Sequence, residues 1–226
     1  MVTIHPTAVI GPNVEIEDDV YIGPLCVIGF PAEWKGREGE DKGVLICRGA
    51  RLTGLVTVDS GVERQTVIGE RCYLMKHSHV GHDANLVEDV IVSCGAKIGG
   101  HAEIMSSVNI GLNAVIHQRQ RIEACSMIGM GAVITKGLKT VEFGVYVGNP
   151  ARFLRENTSH RSYSMSKTIE YKGYIIKTEE YLNYKKCHYE IKDANGVVVE
   201  NSLWYDNTYS PVEHAISSAK NYIDKL

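Results

Sequence analysis

Residues 68–134 read IGERCYLMKHSHVGHDANLVEDVIVSCGAKIGGHAEIMSSVNIGLNAVIHQRQRIEACSMIGMGAVI. An aliphatic residue recurs at every sixth position of this stretch, twelve times without a slip. The same period runs through residues 4–28 and, more weakly, through residues 46–58. Glycine often follows the aliphatic residue, and a small side chain usually stands two positions before it. The sequence is therefore built from six-residue repeats.

A period of six matches neither the 3.6 residues of a helical turn nor the two-residue alternation of a sheet strand, so each repeat must be a short strand followed by a turn. Three such sides close a triangular coil of eighteen residues. Stacked coils satisfy one another's backbone groups at a spacing of about 4.8 Å, and the aliphatic positions fill the interior. The pattern predicts an all-β domain, a parallel β-helix, over residues 1–154.

Composition restricts the class of function. The 226 residues carry a formal net charge of −3, which leaves no broad basic surface for a nucleic acid. No window is long and apolar enough to span a membrane, and the start lacks the basic and apolar regions of a secretion signal, so we expect a cytoplasmic protein. The six cysteines form no C-x-x-C pair and are typical of reduced, packed thiols.

Two segments interrupt or follow the repeats. The stretch FPAEWKGREGEDKG, residues 30–43, breaks the period with charge, glycine and an apparently exposed Trp34, and predicts a loop thrown out from one coil. The polar residues 155–167 predict a linker.

Residues 168–226 differ in composition, because eight of the twelve tyrosines lie there and the period is absent. Asn195-Gly196 between two apolar runs predicts a β-hairpin. Ser210-Pro211-Val212-Glu213 predicts the start of a helix, whose apolar face would include Ile216 and Ile223. We therefore expect a small α+β module, a β-meander with one packed helix, of unassigned role.

The segment LMKHSHVGHD, residues 74–83, concentrates three histidines, His77, His79 and His82, next to Asp83. A histidine with a reference pKa of about 6.5 supplies a neutral base. An adjacent aspartate can fix its tautomer, and a glycine amide can reach a developing oxyanion without side-chain obstruction. These are the groups that acyl transfer needs.

Positions eighteen residues apart stack in this fold, which brings further candidates to the same place. The residues expected above His82 are Gly100 and Gln118, those expected above Asp83 are His101 and Arg119, and His117 adjoins them.

The repeat runs, such as IHPTAVIGPNVEIEDDVYIGPLCVIG at residues 4–29, resemble those of the hexapeptide-repeat acyltransferases, which implies a left-handed β-helix and a homotrimer. The runs LMKHSHVGHD, GGHAEI at 99–104 and AVIHQ at 114–118 are most similar to the UDP-N-acetylglucosamine acyltransferases of lipid A and lipopolysaccharide synthesis. That resemblance implies His82 as general base with Asp83 beside it, and Gly100 as the oxyanion glycine. It implies substrate-binding roles for His79, His101, His117 and Gln118.

The implied reaction moves an acyl group from acyl carrier protein or CoA to a hydroxyl of a nucleotide-linked or lipopolysaccharide sugar, with no bound cofactor and no metal. Met130 stacks one coil above Leu112 and two above Cys94, and we expect this apolar column to run beside the catalytic band. Met130 stands where the family limits acyl chain length, although it could instead pack against a neighbouring subunit. The chain departs from the family in three ways. It lacks several coils before the loop at residues 30–43, and it lacks the helical C-terminal domain that helps to dock the carrier protein. It also places Arg119 at a position that is usually apolar in the family.

Three alternatives stay open at the level of sequence. GAVITKGL followed by YVGNPAR resembles the acetyl-CoA-dependent sugar O- and N-acetyltransferases. The spacing of His77 and His82 is compatible with the zinc sites of trimeric β-helical carbonic anhydrases, although Ile122 stands where a further ligand is needed. A non-catalytic trimeric binding or structural module is the third alternative, and the clustering of histidines at one level argues against it.

Overall fold

The computed structural model describes residues 1–158, 164–181, 186–205 and 211–225. The chain forms two compact units, Met1–Asn157 and Thr158–Leu226. Within the described residues, no helix is both long and apolar enough to cross a membrane.

Three parallel sheets form the sides of the first unit, as the six-residue period predicts. With strands numbered in chain order, sheet 1 contains β1 (Thr3–Ile4), β4 (Tyr21–Ile22), β7 (Arg51–Leu52), β10 (Tyr73–Leu74), β13 (Ile91–Val92), β16 (Asn109–Ile110), β19 (Met127–Ile128), β21 (Gly144–Val147) and the antiparallel β22 (Arg152–Glu156). Sheet 2 contains β2 (Val9–Ile10), β5 (Val27–Phe30), β8 (Thr57–Asp59), β11 (His79–Val80), β14 (Lys97–Ile98), β17 (Val115–Ile116) and β20 (Val133–Ile134). Sheet 3 contains β3 (Val14–Ile16), β6 (Val44–Ile46), β9 (Thr66–Ile68), β12 (Asn85–Leu86), β15 (Glu103–Ile104) and β18 (Arg121–Ile122). The β-helix is confirmed.

The aliphatic residue of each repeat points inward and is fully buried in the central coils, as at Ile98, Ile104 and Ile110. Each of these residues pairs in register with the residue eighteen positions on, so that Ile98 lies against Ile116. Burying one such side chain contributes about 1.5–3 kcal/mol, and Ile104→Ala would cost about 2–5 kcal/mol because neighbouring coils cannot close the cavity.

Two corners of the triangular coil carry the candidate site residues. The corner between sheets 2 and 3 is formed by turns 81–84, 99–102 and 117–120, and we name it the histidine corner. Asp83, His101 and Arg119 stack there with left-handed φ values of 60°, 57° and 61°. The corner between sheets 1 and 2 carries Met130 and lies at the other end of a sheet 2 strand.

Two loops interrupt the stack. Residues 31–43 connect β5 to β6 and form the first loop, which confirms the loop predicted over residues 30–43 except that Phe30 still belongs to β5. Residues 60–65 connect β8 to β9 and form a second loop. This loop was not predicted, although the step from position 58 to position 68 of the period is ten residues, four more than one repeat. The loops are joined, because the N–H of Lys42 donates to the carbonyl of Gly61 at 2.7 Å.

The β-helix ends with β21 and β22, and β23 begins at Ser164. The segment expected to be a linker, residues 155–167, therefore has strand structure at both ends, while residues 159–163 lie outside the described part of the chain.

The second unit is a four-stranded antiparallel meander with one helix, as expected. Its strands are β23 (Ser164–Tyr171), β24 (Tyr174–Tyr181), β25 (Lys186–Lys192) and β26 (Val198–Tyr205), and α1 spans Pro211–Ile223. The predicted hairpin is confirmed, with Gly196 at a φ of 78°. The buried core of the second unit contains Ile176, Ile191, Ala219 and Ile223. The predicted helix cap at Ser210 lies outside the described residues.

Candidate functional site

His82 and Asp83 form a hydrogen-bonded pair at the histidine corner. Nδ1 of His82 lies 2.6 Å from Oδ2 of Asp83, and Asp83 is fully buried. An ionised carboxylate can only accept hydrogen bonds, so Nδ1 carries the proton and Nε2 keeps its lone pair. The pair therefore presents a base at Nε2.

The second loop holds the aspartate in place. The backbone N–H groups of Val62, Glu63 and Arg64 all donate to Oδ1 of Asp83, at 3.1, 2.7 and 2.6 Å. Burial on its own would raise the pKa of Asp83, but the donors at Arg64, His82 and Glu63 together hold that pKa below its ordinary value. Asp83 is therefore ionised at neutral pH, and only its Oδ2 is directed at His82.

Gly100 lies against the imidazole of His82, one coil further along. A Cβ built on Gly100 would be 2.6 Å from Nε2 and 2.7 Å from Cε1 of His82. Any side chain at this position would thus occupy the space of the base. The N–H of Gly100 makes no hydrogen bond within the described residues, which leaves it free for a substrate oxygen.

His101 packs beside the pair. Its ring meets that of His82 edge to face at 5.1 Å, and its Nε2 lies 3.5 Å from Oδ2 of Asp83. Burial lowers the pKa of His101 below its ordinary value, with Asp83 opposing and Arg119 reinforcing that effect. His101 is therefore a neutral imidazole, and its buried Nε2 makes no hydrogen bond within the described part of the chain.

Trp34 of the first loop covers the two imidazoles. Its ring centroid is 5.0 Å from that of His82 and 6.0 Å from that of His101. The sequence suggested an exposed tryptophan, and this was wrong, because the loop folds back and leaves Trp34 half-buried. The guanidinium of Arg37 lies 5.1 Å from the Trp34 ring on the same loop and pairs with Glu63 of the second loop at 3.6 Å.

His79 lies three residues before His82, in β11. Its Nδ1 hydrogen-bonds Oγ1 of Thr57 at 2.8 Å, and its Nε2 is 3.7 Å from Asp59. Burial raises the pKa of Asp59 above its ordinary value, and the opposing effects of His79 and His82 do not cancel this rise. Asp59 is thus a second carboxylate facing the histidines, which the sequence analysis did not identify.

The remaining candidates divide between the two corners. His117 and Gln118 belong to the histidine corner, where Nδ1 of His117 hydrogen-bonds the carbonyl of Gln118 at 2.8 Å. Met130 is 75% exposed and stacks above Leu112 at the other corner. The expectation that this apolar column runs beside the catalytic band therefore fails within a single chain. His77 also lies at the Met130 corner, away from His82.

One group of possible metal ligands occurs within the described ranges. Single ligand atoms of His82, Asp83 and His101 all lie within 4.8 Å of one another. This set differs from the His77 and His82 pair that the sequence suggested, because His77 stands at the other corner. In the metal-free arrangement Oδ2 of Asp83 is already hydrogen-bonded to His82.

The eighteen-residue register could not reveal Trp34, Arg37, Asp59 and Glu63. Trp34, Arg37 and Glu63 lie in the loops that break the period, and Asp59 ends the strand just before the second loop. An aromatic and charged composition in an interruption of a repeat is the signal that could have identified Trp34 and Arg37.

The hexapeptide coils bring a His-Asp pair, a glycine amide and the neutral imidazole of His101 together at one corner, an arrangement that fits the class of hexapeptide-repeat acyltransferases. The family model described as bacterial transferase hexapeptide (six repeats) matches residues 1–30. The acyl-[acyl-carrier-protein]–UDP-N-acetylglucosamine O-acyltransferase of Stutzerimonas stutzeri is 30% identical over 191 residues, which cover 67% of this chain and 73% of that protein. The chain belongs to this acyltransferase family.

Another relative and a solved structure agree. The corresponding Campylobacter concisus enzyme is 28% identical over 58% of this chain, and the match spans about half of that relative, 52%. The UDP-N-acetylglucosamine acyltransferase structure from Acinetobacter baumannii is 25% identical, with a TM-score of 0.55, over 70% of this chain and 73% of that chain.

Proposed function

We propose that the protein transfers an acyl group from a thioester carrier to a hydroxyl of a nucleotide-linked sugar, with His82 as general base. The observation that supports this most directly is the His82–Asp83 pair, with Nε2 directed at the space that the missing side chain of Gly100 leaves open. The relatives named for acyl carrier protein and UDP-N-acetylglucosamine support the class of donor and of acceptor.

In the proposed reaction, Nε2 of His82 removes the proton of the acceptor hydroxyl while its oxygen attacks the thioester carbonyl. The N–H of Gly100 donates to the oxyanion that forms, and ionised Asp83 stabilises the imidazolium. When the tetrahedral intermediate collapses, the C–S bond breaks and His82 returns its proton to the thiolate. The products are the acylated sugar and the free thiol.

We propose that two half-buried neighbours, Trp34 and His101, contribute to this step without transferring the proton. Trp34 covers the imidazoles of His82 and His101 and limits the access of water, which strengthens electrostatic interactions at the base. His101 adds no positive charge because its pKa is lowered. His79, His117 and Gln118 are proposed to contact substrate at the rim of the same corner.

Thiol release tests the proposal. Wild-type protein is assayed with acetyl-CoA and with 3-hydroxyacyl thioesters of CoA and acyl carrier protein, in the presence of UDP- and dTDP-linked sugars. We expect His82→Ala to lower turnover by roughly 10² to 10⁴, a general-base effect, and Asp83→Asn to lower it less.

His77→Ala is the matched control, because His77 is an exposed histidine at the other corner. It should leave turnover unchanged. Near-normal turnover in His82→Ala would contradict the mechanism, and the absence of sugar-dependent thiol release with every donor and acceptor would contradict the reaction.

A further inference from the structure

The histidine corner opens into a cavity of about 370 Å³ on the side of the second loop. His101 contributes to its lining and joins it to the catalytic pair, since the rings of His101 and His82 are 5.1 Å apart. The other charged residues around it are Glu63, Arg64, Glu103, Arg119 and Arg121. The cavity therefore adjoins the catalytic pair through the ring of His101.

Most of these charges compensate one another. Glu103 accepts from Arg64 at 3.3 Å and from Arg121 at 3.2 Å, and Arg121 also pairs with Glu123 at 2.8 Å. Glu63 lies 3.6 Å from Arg37 and 4.0 Å from Nε2 of His101. The walls of the cavity are therefore ion-paired.

Arg119 is different. It lines the same cavity, is exposed, and has no ion pair within the residues that the structure describes. The positive charge of Arg119 is close enough to His101 to help lower the pKa of that imidazole. An unpaired guanidinium at a concave surface presents several N–H donors in the planar geometry that suits a carboxylate or phosphate.

We propose that Arg119 binds an anionic group carried by the acceptor sugar itself, an inference that rests on the proposed acyl transfer at His82. The register sets the distance. Nε2 of His82 lies at the level of Gly100, and Arg119 follows one coil further, about 4.8 Å along the axis. A step of this size is within the reach of a single hexose that has its reacting hydroxyl at His82.

The donor does not fit this position. Its phosphate lies at the far end of the pantetheine arm, the whole length of that arm away from the thioester that must meet His82. The anion is therefore either the phosphate on the anomeric carbon of the nucleotide sugar or a carboxylate on the hexose ring. Both have the chemistry that Arg119 recognises.

The two sources are distinguished by kinetics with UDP-N-acetylglucosamine and with UDP-N-acetylglucosaminuronic acid. Arg119→Gln should raise KM by about 10- to 100-fold, the loss of a hydrogen bond to a charged group, with kcat within about threefold. A rise for both acceptors assigns the anomeric phosphate, and a rise for the uronic acid alone assigns the carboxylate. Arg119→Lys should recover part of the affinity.

Arg51→Gln is the matched control, an exposed arginine on sheet 1, and should leave both KM values unchanged. Calorimetric binding of the two nucleotide sugars to wild type and Arg119→Gln, without donor, gives a measurement independent of turnover. Binding that depends on Arg119 but is not accompanied by thiol release would contradict the proposed reaction and would still support the anion site. Equal affinities of wild type and Arg119→Gln for both sugars, or no binding of either to wild type, would overturn the anion site.

Discussion

Gly100→Ala tests how strongly the rate depends on the position of the His82 ring, because the substitution leaves the other parts of the proposed mechanism in place. Alanine retains the N–H that is proposed to face the oxyanion, and the backbone of Gly100 is outside the left-handed region. The turn and the donor are therefore unchanged. The only change is the added methyl group, which clashes with the imidazole of His82.

The size of the effect follows from the contacts. The added Cβ would lie 2.6 Å from Nε2 of His82, whereas ordinary contact begins at 3.4 Å. The ring has to move by about 0.8 Å, and it is held on its other side by Asp83 at 2.6 Å and covered by Trp34. Because a misplacement of about 1 Å can cost about 10²-fold in rate, we expect kcat to fall by about 10² while KM stays within about threefold.

Steady-state thiol release and urea unfolding should be measured together. Gly137→Ala is the control, since Gly137 continues the same corner at a φ of 83° with open space around its Cβ position. It should lose about 1–2 kcal/mol of stability to backbone strain and keep its kcat. A folded Gly100→Ala protein that turns over within threefold of wild type would refute the steric argument and the placement of the base.

Two further outcomes follow from the corners and from the buried carboxylate. Met130 and His82 lie at different corners of one chain, so Met130 can limit the acyl chain length of the donor only across a subunit boundary. Light scattering should then give a trimer of about 75 kDa, three times 25.0 kDa. Met130→Gly should move the preferred donor towards longer acyl chains. A stable monomer would contradict both, and an unchanged order of donors would assign Met130 to packing. The folded-state pKa of Asp83 is lowered, so its stabilisation is complete above the unfolded value of 3.8 and is lost as the pH falls through the folded pKa. Urea unfolding should therefore show a smaller difference between wild type and Asp83→Asn at pH 3 than at pH 6, and an equal difference would mean that the carboxylate is not ionised in the fold.

The coils were predictable because a regular repeat fixes register. Once Ile98 and Ile116 are known to stack, every residue between them has a defined level and corner, and His101 has to lie above Asp83. The same rule gives Gly100 its place against His82. The part of the site within the coils thus follows from counting residues in eighteens.

The error over Met130 has a related cause. Counting in eighteens gives the level of a residue correctly, but the corner depends on its position within the repeat of three strands. Met130 follows a sheet 1 strand and His82 follows a sheet 2 strand, so the two columns run parallel at different corners. The structure contains the predicted apolar column that includes Leu112, but within one chain this column does not lie beside His82.

The break in the period between positions 58 and 68 marks the place of the second loop, but the period does not specify the path of the loop or the direction of its N–H groups. In a regular coil most backbone N–H groups donate to the next coil, and few remain for a buried carboxylate. Val62, Glu63 and Arg64 have left the ladder, and their three N–H groups converge on Oδ1 of Asp83 instead. The repeat supplies the levels at which His82, Gly100 and His101 meet, and the break in the repeat supplies the donors that keep Asp83 ionised beside them.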